Sequence, residues 1–481
     1  MTLVLLILGV APGGARAAVS DTDVRTSYEK RIAGAAEIGG GIDISGDRTT
    51  HLLLGNRAAR PKGREAAGAV FAVEVSIEQR RIHLRDRSFQ GFVVAGAAAG
   101  DGLSSACAAD VNGDGIGDVI AGAGGADTPN GADSGAAYVV FGDDAGTDVD
   151  LADFHEDDQG GRGFRVDGGA PSDRAGADVG CVGDVNGDGL GDFVVAAPAA
   201  GSSYVVFGKS DPERVDLMRF DLNTQGPSGF RIDTSISRPR GAYAVAGGGD
   251  TNGDGRPDVL VGVVDRPEQS TGIVYVVFGK ADPAPVEADG PDAVADAYGY
   301  TIHGQGSGWM TGAALASVGD ANGDGLDDVV IGASRRTSYQ RAGRAYVVFG
   351  AEEAEDVFLG DLGERGFMMV GGPGRDATGS SVSSVGDVDG DGLDDVVVGA
   401  PLTRVRAARG AGAAYVVFGS RRTATVALRD LGRRGYRLVG NSARENIGGS
   451  VGAYSPRGRT RVVVGGYRRS TTYVVKARAP R

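Results

Sequence analysis

Two short strings recur through this chain, and their alternation limits what it can fold into more than any bulk property does. The first, Tyr-Val-Val-Phe-Gly, occupies Tyr138–Gly142, Tyr204–Gly208, Tyr275–Gly279, Tyr346–Gly350 and Tyr415–Gly419, with weaker copies at Val70–Val73 and Tyr473–Val475. The second, Asp-x-Asn/Asp-Gly-Asp-Gly-x-x-Asp, begins at Asp110, Asp184, Asp250, Asp320 and Asp387. One period before Asp110 lies a degenerate copy, Asp43-Ile-Ser45-Gly-Asp47. One period after Asp387 the acids are gone and Tyr454-Ser-Pro456 stands in their place. That makes seven repeats. A fixed internal period is the mark of units that cannot bury their apolar faces alone and do so against one another.

Each repeat reads as four short strands. The first leads into the acidic loop, as at Val182–Gly183, and the second leaves it as a β-branched run such as Val396-Val397-Val398-Gly399. The third is the Tyr-Val-Val-Phe-Gly string. The fourth follows a Val-x-Leu segment (Val149/Leu151, Val215/Leu217, Val426/Leu428) and starts with Gly163-Phe164, Gly229-Phe230, Gly299-Tyr300, Gly366-Phe367 or Gly435-Tyr436. Helical periodicity is absent, and 84 glycines suit a turn-rich chain. Short β runs between glycine turns, repeated this often, predict an all-β fold: a seven-bladed β-propeller of four-stranded blades. The last repeat lacks its own fourth strand, while Tyr28–Ala33 belongs to no repeat. The N-terminal strand is therefore expected to complete the last blade beside Tyr473–Val475, which removes the open edge.

The acidic loops offer oxygen ligands at positions 1, 3, 5 and 9 and a backbone carbonyl at position 7. The five sets are Asp110, Asn112, Asp114, Ile116 and Asp118; Asp184, Asn186, Asp188, Leu190 and Asp192; Asp250, Asn252, Asp254, Arg256 and Asp258; Asp320, Asn322, Asp324, Leu326 and Asp328; and Asp387, Asp389, Asp391, Leu393 and Asp395. Hard oxygens in flexible geometry suit Ca²⁺. An EF-hand would need Glu at position 12, where this chain has Ala121, Val195, Val261, Ile331 and Val398 inside apolar strands. The loop is instead a turn between the first and second strands of a blade. Five ions, adding +10 to a formal charge of -14, would leave about -4. Their expected role is structural.

These strings resemble the FG-GAP repeats of integrin α-chain propellers. Phe-Gly closes each third strand, and Gly399-Ala400-Pro401 or its variant Ala196-Ala197-Pro198 follows the second. The resemblance implies metal hairpins on a lower face and ligand-binding loops on an upper one. It departs from the family in placing hairpins in repeats two to six. Without leg domains or a membrane helix the chain reads as a free-standing head, so adhesion as a heterodimer is not carried over.

The N-terminal run Leu3–Leu8, followed by Ala15-Arg16-Ala17, predicts a signal peptide over 1–17 and a propeller over 18–481. The expected setting is secreted or extracellular. Cys107 and Cys181 each precede an acidic loop by three residues and read as two buried thiols, since a bridge needs Cα atoms about 6 Å apart.

Arginines are unevenly spread over the loops assigned to the upper face. Repeat five holds Arg335, Arg336, Arg341 and Arg344, repeat six Arg404, Arg406 and Arg409, and repeat seven Arg468 and Arg469. Repeat one adds Arg57, Arg60, Lys62 and Arg64, whereas Asp127, Asp133, Asp265 and Glu268 mark repeats two to four. Such an arc would draw an anionic extracellular glycan or protein. Trp309 could stack on a sugar or serve as a buried anchor. The overall reading is a calcium-stabilised binding or adhesion scaffold that is not an enzyme. No nucleic-acid partner is expected of an acidic, exported chain. The alternative is a calcium-assisted polysaccharide lyase, for which the histidines are His51, His83, His155 and His303, with His303 alone placed to face an upper loop.

Overall fold

In the computed structural model the described residues are 21–481 apart from 24–27, 34–36, 47–48, 76–80, 85–88, 105, 144–145, 155–160, 223–227, 235–241, 266–270, 289–297, 335–341, 354, 373, 467–469 and 478–481. They form seven sheets and, among them, no α-helix. The fold is a seven-bladed β-propeller. Blade two shows the plan. Ala106–Ala109, Asp118–Ala123, Ala136–Val140 and Gly163–Asp167 pair antiparallel in chain order, with Tyr138 opposite Ala121 on one side and Arg165 on the other.

Every blade carries a fifth strand that the four-strand reading omits. The Val-x-Leu segment of one repeat crosses to the preceding blade and pairs parallel with its fourth strand. Thus Val149–Asp150 lies on Gln90–Ala95, and Val215–Asp216 on Gly163–Asp167. Each repeat in this way ties its neighbour's outer edge.

The ring closes as expected and more firmly. Tyr28–Ala33 pairs antiparallel with Thr471–Lys476, and Arg81–His83 adds the fifth strand of that blade. Asp21–Asp23 pairs parallel with Gly435–Val439 of blade six.

The cores lie between blades. Among the described residues there are seven buried apolar clusters, each drawing side chains from two adjacent blades. Val330, Val347 and Phe367 of blade five meet Val396, Val398 and Tyr415 of blade six. This is why second and third strands such as Asp192–Ala197 and Ser202–Val206 are buried throughout rather than alternating. The closing interface has its own cluster, in which Ile32, Leu52, Val73, Ile82 and Val474 meet.

First strands surround the axis, each touching the first strands on either side. They are rich in Ala and Gly, and that corrects the cysteine reading. Cys107 and Cys181 form a disulfide between blades two and three, with Cα atoms 5.7 Å apart. Small neighbours permit the approach: a Cβ on Gly180 would already lie 3.0 Å from the Cα of Ala246 in the next blade.

Candidate metal centres

The acidic loops connect first and second strands in blades two to six, so all five lie on one face of the wheel. Their internal geometry repeats. In blade two the Asp110 carboxylate accepts N–H bonds from Gly113 (2.8 Å) and Gly115 (3.0 Å), and Asn112 Oδ1 accepts from Asp114 N (2.9 Å). Asp114 Oδ1 accepts from Ile116 N at 2.8 Å. Glycine at position 6 has φ between 84° and 92° in all five loops, the left-handed region that glycine enters without steric cost.

Position 9 explains the coupling of the two sequence strings. Asp118 Oδ2 accepts from Val111 N (2.8 Å) at the start of the loop, and Oδ1 accepts from Gly142 N (3.0 Å), the glycine of Phe-Gly. Asp192, Asp258, Asp328 and Asp395 make the same two contacts, reaching Gly208, Gly279, Gly350 and Gly419. One carboxylate thus joins the loop, the second strand and the end of the third. The Phe beside that glycine packs edge-on or tilted against the aromatic residue of the fourth strand, as Phe141 does on Phe164 at 6.1 Å and Phe418 on Tyr436 at 6.2 Å.

These five aspartates are fully buried. Burial pushes the carboxyls of Asp118, Asp192, Asp258 and Asp395 up to about 7 and that of Asp328 to about 8, against backbone hydrogen bonds that pull them down. A buried carboxylate of this kind calls for a nearby positive charge. In blade six, where position 3 is Asp389, oxygens of Asp387, Asp389 and Asp395 lie within 4.8 Å of one another. The donor set, all oxygen and convergent on a loop, fits a hard divalent cation.

The loops also overlap like tiles. The N–H at position 8 donates to the position-1 carbonyl of the preceding loop: Gly117 to Asp43 (2.9 Å), Gly191 to Asp110 (2.7 Å), Asp327 to Asp250 (3.0 Å) and Asp394 to Asp320 (2.9 Å). Pro257 holds that position in blade four and has no N–H to give, so the link to Asp184 is missing there. The Asp327 carboxylate additionally accepts from Asp250 N at 2.8 Å, and Arg421 donates to the carbonyls of Asn322 (3.0 Å) and Gly323 (3.1 Å) across a blade boundary. None of these contacts has a signature in a single repeat.

On the opposite face only some residues of the expected basic arc are described. Arg335, Arg336, Arg341, Arg468 and Arg469 lie outside the described residues. In blade one Arg60 pairs with Glu65 (2.8 Å), Lys62 and Arg64 both pair with Asp150 (2.6 Å each), and Arg57 is exposed. Arg344 lies over Trp309 at 4.5 Å and bonds Gln305. Trp309 is the buried anchor, at 5% exposure. Arg404, Arg406 and Arg409 are exposed.

His303 ends the fourth strand of blade four, stacked on Phe358 at 4.4 Å with Nε2 3.3 Å from Asp356. His51 is buried against the Thr49 carbonyl, His83 lies in an outer strand, and His155 falls outside the described residues.

Fold and loops together define a β-propeller whose blades two to six each carry an acidic hairpin. The FG-GAP repeat family matches residues 102–140, 177–210, 311–348 and 378–417, the hairpins and central strands of blades two, three, five and six. Integrin alpha-4 of Xenopus laevis is 33% identical over 162 residues, 32% of this chain and 14% of that protein. Integrin alpha-PS5 of Drosophila melanogaster is 32% identical over 159 residues, 31% of this chain and 14% of that protein. Phosphatidylinositol-glycan-specific phospholipase D of Bos taurus is 32% identical over 165 residues, 32% of this chain and 17% of that protein. The chain therefore spans well under a fifth of these relatives' lengths. It is an FG-GAP-repeat β-propeller that resembles integrin α chains.

Proposed function

We propose that the protein is an exported, calcium-clamped binding or adhesion scaffold, with five ions held on one face and a ligand taken by loops on the other. The observation that carries this reading is the buried aspartate at position 9 of five successive acidic hairpins, with oxygens of Asp387, Asp389 and Asp395 drawn within 4.8 Å of one another in blade six. Ca²⁺ would be held by the side chains at positions 1, 3, 5 and 9 and the carbonyl at position 7. It would supply the charge that burial otherwise denies these carboxylates. Residues 1–17 are read as a leader removed on export and 18–481 as one propeller. The disulfide between Cys107 and Cys181 supports an oxidising compartment. Among the described residues no helix is long and apolar enough to cross a membrane.

A lyase would need a base beside bound uronate; His303, the histidine expected to face an upper loop, stacks on Phe358 with Nε2 3.3 Å from Asp356.

Native mass spectrometry should find five calcium ions, lost to EDTA. For sites with dissociation constants on the order of 10⁻⁴ to 10⁻³ M, calcium at about 10 mM contributes roughly 1.4 to 2.7 kcal/mol each. Five such sites make a large rise in melting temperature. An ion-free protein whose melting ignores EDTA would end the proposal.

A further inference from the structure

Two upper-face loops of blades six and seven are welded into one surface. The hairpin between Asp395–Ala400 and Ala413–Val417 is closed by Val405 and Ala408, which exchange N–H···O bonds of 3.2 and 2.9 Å. The loop entering Ile447–Tyr454 lies along it: Arg444 N donates to Arg409 O (3.0 Å), Asn446 N to Gly410 O (3.0 Å) and Ile447 N to Ala411 O (3.1 Å). The Asn446 amide donates to the Pro401 carbonyl at 3.0 Å. The join presents Arg404, Arg406, Arg409 and Arg444, all exposed. None of the four forms an ion pair among the described residues. The acid within the second loop, Glu445, is turned inward and accepts from Tyr473 Oη at 2.8 Å.

Two of these arginines are held in the left-handed region, Arg406 at φ 53° and Arg444 at φ 60°. The same conformation recurs at Ser172, whose N–H donates to Ala132 O (2.9 Å) as that of Arg444 does to Arg409 O, so it belongs to the repeat and fixes where the backbone places these side chains. The corresponding hairpin of blade two carries Asp127 and Asp133 with no basic residue, and in that of blade one Arg60, Lys62 and Arg64 are ion-paired.

We propose that the seam of blades six and seven binds a polysaccharide bearing carboxylate or sulfate groups, with Arg404, Arg406, Arg409 and Arg444 as its guanidinium contacts. Planar guanidinium forks match such oxyanions in pairs of parallel hydrogen bonds. The two loops, 401–411 and 440–446, hold no aromatic residue on which nucleic-acid bases could stack. The large apolar side chains exposed among the described residues, Met218, Tyr298 and Phe358, all lie elsewhere, so the patch offers no apolar anchor for a protein partner. This assignment rests on the scaffold reading above but does not require the metal count to be right.

The test uses the full chain in saturating calcium with dextran sulfate and hyaluronan as probes, and neutral dextran, polyglutamate and a single-stranded oligonucleotide as comparators. The expected result is salt-sensitive binding of one or both anionic polysaccharides, weakened at least tenfold in Arg404→Ser/Arg406→Ser/Arg444→Ser. The equally charged control Arg422→Ser/Arg429→Ser/Arg433→Ser, on the strand-three to strand-four connection of blade six, should bind like the parent. Both variants should keep the parent's calcium stoichiometry and circular dichroism. Equal weakening of both triples, no binding by the parent, or tighter binding of polyglutamate or the oligonucleotide would overturn the assignment. A protein that binds calcium but neither polysaccharide loses only this inference.

Discussion

In EDTA the protein's stability should fall as pH rises, against the usual behaviour of carboxylates. The five position-9 aspartates are buried, and their folded pKa values of about 7, or about 8 for Asp328, exceed the unfolded value of about 3.9. A group with a raised folded pKa contributes stability that is complete below the unfolded pKa and is lost as pH climbs through the folded one. Between pH 5.5 and 8 the integrated loss is about 2 kcal/mol for a carboxyl of pKa about 7. Independent titration of all five would remove on the order of 10 kcal/mol, which rivals the stability of a whole domain. With calcium the sign changes. The cation replaces the proton, protons compete less as pH rises, and stability in the same window should hold level or increase. The assay is urea denaturation in EDTA and in calcium, followed by the fluorescence of Trp309, the single tryptophan, which is buried between blades four and five. Asp328→Asn should remove roughly a fifth of the EDTA slope. A chelated protein equally stable or more stable at pH 8 would refute the claim that burial dominates these carboxyls.

Other outcomes follow from close contacts. A Cβ on Gly142 would lie 2.5 Å from the Gly117 carbonyl oxygen, so Gly142→Ala should cost about 1–3 kcal/mol in a denaturant titration. Cys107→Ser/Cys181→Ser opens a loop whose ends are 74 residues apart and should lose roughly 4 kcal/mol by loop entropy, whereas dithiothreitol should leave the variant's midpoint unmoved. Ile32→Ala empties a fully buried position in the closing interface and should cost about 2–5 kcal/mol, with unfolding losing its single sharp transition as blade seven opens early.

The number of blades, their strand order and the closing strand were legible because each repeat states its own hydrogen-bonded unit. Tyr-Val-Val can be buried only between two sheets, and Tyr28–Ala33 had nowhere else to pair. Contacts between repeats were not legible in the same way. The Val-x-Leu segment was visible, but no local property says that Val215 pairs with Val166 of the previous repeat. The pairing of Cys107 with Cys181 turns on the distance between blades. It depends on the Ala and Gly content of the first strands, and that signal was present at Ala106, Ala108 and Gly180. In the upper loops the composition predicted a broad arc, yet charge alone did not reveal that Asp150 of repeat two would neutralise Lys62 and Arg64 of repeat one.

The antiparallel blade explains how one repeat can serve two purposes. Connections after the first and third strands fall on one face, and those after the second and fourth fall on the other. On the first face, position 9, the Phe-Gly glycine and the position-8 N–H all take part in contacts that set the spacing between blades, so substitutions there disturb the ring. The hairpin after the second strand meets its neighbour's entry loop and, through single side chains such as Lys62, Arg64 and Asn130, the Asp of its Val-x-Leu segment. It can therefore range from the short Pro198–Gly201 turn to the arginine-bearing 401–411 segment without altering the strands beneath. The acidic face is repeated because geometry demands the same residues in each blade. Among the described residues, the adjoining upper loops of blades six and seven both carry exposed arginines and bond to each other, and there the basic patch lies.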